Sequence, residues 1–131
     1  MTRDDQSWVH ELGKRRYPTR FDDFTAMNWL LNTVLTNPLV YFPVRTDNAF
    51  IIGHMIAHAF YGQEIIVDIE MICADEGALW EAIALLQASI RWGRFRQARR
   101  WRLSSESHYD LKPLAWRVGA REIAPRYELE L

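Results

Sequence analysis

Residues 64–103, EIIVDIEMICADEGALWEAIALLQASIRWGRFRQARRWRL, contain the change of period that decides the fold. From Glu64 to Ala74, Ile65, Val67, Ile69, Met71 and Cys73 alternate with Ile66, Asp68, Glu70 and Ile72, the two-residue repeat of a strand. From Glu76 the period becomes helical. Leu79, Ile83, Leu86 and Ile90 form one apolar stripe, with Ala82, Leu85 and Ser89 beside it, and this helix is expected to be the longest element. Arg100 to Ser104 then reads as a short strand reached without a long loop. It is expected to lie parallel to the strand before the helix, through a right-handed crossover.

Working outward from this unit, Tyr61-Gly62-Gln63 turns the β-rich run Ala49 to Phe60 back into Glu64, making a hairpin. Leu39 to Arg45 reads as a further strand, joined through the turn Thr46-Asp47-Asn48. Pro43 cannot donate to a ladder, so that strand belongs at an edge or a bulge. A helix opening at Asp22 or Asp23 places Met27, Leu30, Leu31 and Val34 on one face, and Asn37-Pro38 closes it. Before it come a short helix from Ser7 to about Lys14 and a basic connector, Arg15 to Phe21. Toward the other end, Asp110 is expected to cap a short helix with Pro113 in its first turn and Gly119 as its stop. Arg121 to Leu131 is patterned as a half-exposed strand, with Tyr127, Leu129 and Leu131 alternating with Arg126, Glu128 and Glu130, and with a break at Pro125. The expectation is one mixed α+β domain over residues 1–131, helical over 1–38, with a largely antiparallel sheet and a central long helix over 39–131.

Composition supports one core. The chain has 131 residues, 49% of them apolar, and six tryptophans spread along it, which excludes a disordered protein. The single cysteine, Cys73, cannot form an internal disulfide, so nothing points to an oxidising compartment. No stretch approaches the roughly 20 apolar residues of a membrane span, and Met1 to Gln6 is polar and acidic rather than signal-like. A soluble protein, cytoplasmic in a host cell or associated with a virion, is expected. Net charge is only −1, but no Lys or Arg occurs between Thr46 and Ile90, whereas Arg91, Arg94, Arg96, Arg99, Arg100 and Arg102 follow in quick succession. This asymmetry suits an anionic partner, and it equally suits the C-terminal end of a helix dipole.

The order helix, helix, strand, strand, strand, long helix, strand, helix, strand resembles the GNAT superfamily of acyl-CoA-dependent N-acyltransferases over about Leu39 to Leu131. The resemblance is carried by Leu85-Leu86, Ile90, Trp92 and Gly93 running into Arg100-Trp101-Arg102-Leu103, like that family's central helix entering its fifth strand. Asp110 to Ala120, ending in Leu114-Ala115-Trp116-Arg117-Val118-Gly119-Ala120, resembles the family helix that finishes in Gly-Phe, with Ala120 in place of the Phe. The family's usual first strand is not evident. The chain looks most like the short, divergent GNAT-like proteins encoded by bacteriophages.

The resemblance implies acetyl-CoA as cofactor, held by backbone amides of the strand at Ile72 and Ala74 and by the turn and helix start at Gly77, Ala78, Leu79 and Trp80. Free amides at a helix N-terminus attract a pyrophosphate, and glycine lets the backbone come close. Trp80 and Ala82 stand where the family pattern R-G-x-G-x-G/A wants small residues, and Asp75 and Glu76 put negative charge at the phosphate position. Asp75 and Glu76 are also ordinary helix-start acids. By the same resemblance Glu70, with Asp68 behind it, is the candidate base for an amine proton. Ser105, among Ser104, Ser107 and His108, follows the strand where the family contacts pantetheine. The family's acid tyrosine is replaced by Ala115, and Tyr109 is not its equivalent.

Other chemistries have little basis. His54 and His58 share a strand face but stand about 13 Å apart, too far to hold one ion. Neither a Ser-His-Asp arrangement nor a phosphate loop occurs. The arginines with Trp92, Phe95 and Trp101 suit stacking on nucleic acid, which the near-neutral charge disfavours. Two readings follow: an acyl-CoA-dependent N-acyltransferase using Glu70, or a GNAT-fold phage structural, assembly or host-interaction protein without catalysis. The second would present its aromatic residues and the surface Arg91 to Arg102 to a copy or a partner.

Overall fold

A strand whose two sets of alternating side chains are both apolar needs cover on both faces of its sheet. The structure, a computed structural model, describes residues 1–17, 23–58, 64–103, 111–123 and 129–131. After a 3₁₀ turn at Arg3–Asp5 come α1 (Gln6–Arg16) and α2 (Asp23–Trp29), the latter continued by a π-helical turn at Leu30–Val34. Among the described residues the sheet has four strands, β1 (Tyr41–Arg45), β2 (Ala49–His58), β3 (Glu64–Ala74) and β4 (Arg100–Leu103), in that spatial order. Helix α3 (Leu79–Phe95) connects β3 to β4, and α4 (Lys112–Arg117) follows. The first two pairings are antiparallel and β3 pairs β4 in parallel, as the crossover requires.

One face of the sheet carries α1 and α2. Val9, Leu12, Met27, Leu30 and Val34 pack there on Phe50, Ile52 and Cys73. The other face carries α3, where Ala82, Leu85 and Leu86 meet Ala49, Ile51, Val67, Ile69 and Ile72. Close approach of α3 depends on Gly93, because a Cβ there would stand 2.8 Å from the Val67 side chain. Ser89, buried on α3, donates to the Leu86 carbonyl at 2.6 Å and accepts from the Trp101 indole N–H at 2.9 Å, so its buried hydroxyl and that indole N–H are satisfied. Proline 43 sits on the edge strand, as its missing N–H demands.

Helix α3 ends in a Schellman arrangement. Ala98 N donates to Gly93 O at 2.8 Å and Gln97 N to Arg94 O at 3.0 Å, with Gln97 in the left-handed region at φ 62. Arg45 joins β1 to the chain start: its guanidinium lies 3.4 Å from the Trp8 ring centroid and donates to Asp5 at 2.9 Å. The Asp5 carboxylate also accepts from the Thr2 amide at 2.8 Å. These bonds, the amide first and then Arg45, hold its carboxyl below the ordinary range.

Three expectations need correction. The alternation along β3 is not uniform, because the pairing with β2 shifts between Ile52 and Gly53: Ile52 faces Met71 and Gly53 faces Ile69, leaving Glu70 as an extra residue. Val67 and Ile69 therefore point to α3, while Met71 and Cys73 point to α1 and α2. Of the strand expected over Arg121 to Leu131, residues 124–128 lie outside the described residues; 121–123 and 129–131 are not in a strand, and Leu129 and Leu131 are exposed rather than half-buried. Leu111, without a side-chain bond, occupies the N-cap of α4, and Asp110 lies outside the described residues.

Two stability outcomes follow. Gln97→Gly removes the left-handed penalty and should raise unfolding free energy by about 1 kcal/mol, read as a higher urea midpoint. Asp5 titrates lower when folded than unfolded, so its contribution is present above its ordinary value of 3.8 and is lost as pH falls through the lowered folded value. Asp5→Asn should therefore lower the urea midpoint at pH 7 and converge with the parent at the acid end of a pH series.

Candidate active site

The bulge at Glu70 shapes the region where the resemblance placed a cofactor. Parallel pairing of β3 with β4 runs from Ile66 with Arg100 to Ile69 with Leu103, the last described residue of β4. Beyond the bulge, from Glu70 to Ala74, β3 keeps β2 on one side and has no strand on the other among the described residues. An open edge of this kind presents unpaired backbone groups to an extended partner.

The turn after that edge is built to leave amides free. Asp75 N donates to Asn48 O at 2.8 Å, Glu76 N to the Asp75 carboxylate at 2.9 Å and Ala78 N to Asp75 O at 3.0 Å. Ala78, with no side-chain acceptor, is the N-cap of α3, and the first helical amide to find a carbonyl is that of Ala82, on Ala78 at 3.0 Å. Leu79 and Trp80 thus start the helix with N–H groups that have no partner among the described residues, at the positive end of its dipole. Gly77 has φ +81, and a Cβ built on it meets nothing within 4 Å, so open space lies in front of the turn.

Of the residues predicted to hold a cofactor, Gly77, Ala78, Leu79 and Trp80 thus gather at one helix start. Trp80 does not plug it. Its indole is 71% exposed and lies under the Arg117 guanidinium, 5.2 Å from the ring centroid. Ala74 lies half-buried at the strand end, and Ile72 has a buried side chain and a carbonyl taken by the Tyr17 hydroxyl at 2.7 Å, so its backbone offers less than expected. Ser105 lies outside the described residues.

Asp75 in the turn and Glu81 in the first turn of α3 both have partners, whereas Glu76 is exposed. Asp75 is bound by Arg15 of α1 at 2.9 Å, and the Glu76 amide, then Arg15, hold its carboxyl below the ordinary range. Glu81 accepts from the Asn48 amide and side chain, both at 3.1 Å; Thr46 first and then Asn48 hold its carboxyl low. Neither carboxylate is left without a partner beside the free amides.

Glu70 is exposed on the α1 and α2 side and bonds His54 Nδ1 at 3.1 Å. His54 stacks flat on Tyr41, with centroids 4.6 Å apart and planes 8° from parallel, and Trp29 meets Tyr41 edge-on at 6.0 Å. Cross-strand register places Tyr41, His54, Asp68 and Arg102 in one row over the four strands. Asp68 faces Arg102 at 4.0 Å and Glu64 meets Arg100 at 3.1 Å, so two of the clustered arginines answer acids of β3. Sequence reasoning considered His54 only as a metal ligand. The hairpin register that brings it to Glu70 depends on the bulge, which has no local signature in the residues.

Other candidates lose ground. Burial pushes the Cys73 thiol up to about 12, and its sulfur donates to the Leu12 carbonyl, so it is a packing group and not a nucleophile. Trp92 stacks on Phe42 at 5.2 Å and Trp101 bonds Ser89, leaving Phe95 as the exposed aromatic of the expected stacking surface. An apolar crevice of about 30 Å³ between Trp29, Leu30, Ile52 and Met71 has room for about one water, not for a substrate. Among the described residues there is no cluster of acids, histidines and cysteine suited to a metal, and no helix is long and apolar enough to cross a membrane.

No protein-family profile and no curated protein matches the sequence. Solved structures do match. An aminoglycoside 6'-N-acetyltransferase from Acinetobacter haemolyticus is similar with a TM-score of 0.79 at 10% identity, over 100% of this chain and 94% of that one. AAC(6')-Iy in complex with a bisubstrate analogue, CoA-S-monomethyl-acetylneamine, is similar with a TM-score of 0.71 at 17% identity, over 100% of this chain and 95% of that one. A ribosomal-protein-alanine N-acetyltransferase from Brucella melitensis biovar Abortus 2308 is similar with a TM-score of 0.73 at 15% identity, over 98% and 94%. The chain therefore has the GNAT-like fold anticipated from its sequence.

Proposed function

We propose that this protein is an acyl-CoA-dependent N-acyltransferase that uses acetyl-CoA and a primary amine. The observation that carries this reading is the junction of β3 and α3, where a strand edge without a described neighbour leads directly into a helix start whose first amides have no partner among the described residues, with open space at Gly77. Bound acetyl-CoA would supply the activated acyl group as a thioester. Its pyrophosphate suits the amides of Leu79 and Trp80, and its extended arm suits the β3 edge beyond Glu70. The similar structure solved with a CoA bisubstrate analogue supports the same use of the fold.

Glu70 and His54 lie on the sheet face opposite α3, beside the bulge that follows the last described pair of β3 with β4. An amine attacks a thioester only as the neutral form, so a proton acceptor at this point is what the reaction asks of the protein. The reading without catalysis rested on Trp80, on the acids of the turn and on Ala115. Trp80 stands in solvent and Asp75 is tied to Arg15, so neither obstructs the junction.

Calorimetry with acetyl-CoA should show micromolar binding that weakens with salt. Gly77→Asp, which adds a charge and a side chain at φ +81, should weaken it by about tenfold or more. Thiol release from acetyl-CoA with a panel of primary amines measures transfer itself. Absence of binding at millimolar acetyl-CoA would remove the proposal.

A further inference from the structure

We infer that His54, held by Glu70, is the group that takes the amine proton, and that Glu70 is a positioning residue and not the base. This deepens the acyltransferase reading and rests on it. The geometry is that of an oriented imidazole. Glu70 contacts one ring nitrogen, Nδ1, at 3.1 Å, and Tyr41 fixes the ring plane by stacking at 4.6 Å and 8°. Trp29 in turn braces Tyr41 edge-on at 6.0 Å. The second nitrogen, Nε2, has no hydrogen-bond partner among the described residues.

A carboxylate accepts hydrogen bonds and cannot donate them. Beside ionised Glu70 the neutral ring therefore keeps its proton on Nδ1, which leaves the lone pair on Nε2. The charged groups around the ring divide cleanly. Asp68, opposite His54 on β3, is engaged by Arg102 of β4, while Glu70 is the acid that contacts His54. The ring is 27% exposed, so Nε2 belongs to a group that a substrate can reach.

In the transfer the amine nitrogen forms a bond to the acyl carbon and the carbon–sulfur bond breaks. The amine proton passes to Nε2 of His54, the sulfur leaves as thiolate, and the imidazolium returns the proton to solvent water, through which the thiolate is protonated. This assignment also fits Ala115 at the place of the family's acid tyrosine, since no second side chain is asked for in the step.

The test has two arms. In ¹⁵N-labelled full-length protein at a pH where imidazoles are neutral, the ring ¹⁵N shifts of His54, assigned with His54→Gln, should show the Nδ1–H tautomer. Glu70→Ala should return the ring toward the Nε2–H form. An Nε2–H tautomer in the parent protein overturns the inference whether or not transfer is seen. In the second arm, thiol release from acetyl-CoA with primary amines should fall by about 10²–10⁴-fold in kcat/KM for His54→Gln, with acetyl-CoA binding by calorimetry unchanged. Glu70→Gln keeps an oxygen that can accept from Nδ1–H and should lose clearly less. A larger loss in Glu70→Gln than in His54→Gln makes Glu70 the base and overturns the inference while sparing the acyltransferase reading. Absence of acetyl-CoA binding overturns that parent reading, and the base assignment with it.

Discussion

A single extra residue in β3 is the constraint on which the rest of this structure turns. With Glu70 unmatched in the ladder, β3 changes the side each residue faces halfway along its length. Its first half supplies Val67 and Ile69 to the core under α3, and its second half supplies Met71 and Cys73 to the core under α1 and α2. Without that change, one core would gain residues that the other needs. The same irregularity follows the last described pair to β4, Ile69 with Leu103, so among the described residues it also marks where β3 has a strand on one side alone.

Charge follows the same geometry. The long stretch without a cation, from Thr46 to Ile90, supplies acids that are answered from elsewhere in the chain. Arg15 of α1 meets Asp75, Arg100 meets Glu64, and Arg102 stands near Asp68. What reads in one dimension as a segregated sequence is, in three, a set of pairs across elements. Such exposed pairs add little stability. Their effect here is local: Asp75, in the turn before α3, is answered by Arg15, while Glu76 beside it stays exposed.

Much of the fold was legible because it rests on periodicity. The two-residue repeat ending at Ala74, the 3.6-residue repeat through Ile90 and the short apolar strand after it define a β-α-β crossover from residues close in sequence. Pro43 marked the edge strand for the same reason, a missing N–H. The site was legible only in part. Gly77 to Trp80 could be placed at a helix start, but the outward position of Trp80 depends on Arg117, far along the chain. The partner of Glu70 depends on hairpin register, which a bulge shifts by one residue and which no local pattern encodes. The C-terminal alternation is a spacing signal, which does not by itself supply a neighbouring strand, and Leu129 and Leu131 are exposed.

Ala78 at the head of α3 has a consequence beyond the shape of the turn. A serine, threonine or aspartate in that place would satisfy a helical N–H from within the chain, worth about 0.5–2 kcal/mol. The resting fold forgoes that gain. Any anion that settles there lowers the free energy of the folded form by mass action, so thermal resistance becomes tied to occupancy. Hardening this chain by the usual remedy for a weak helix start would set its own side chain in competition with the ligand.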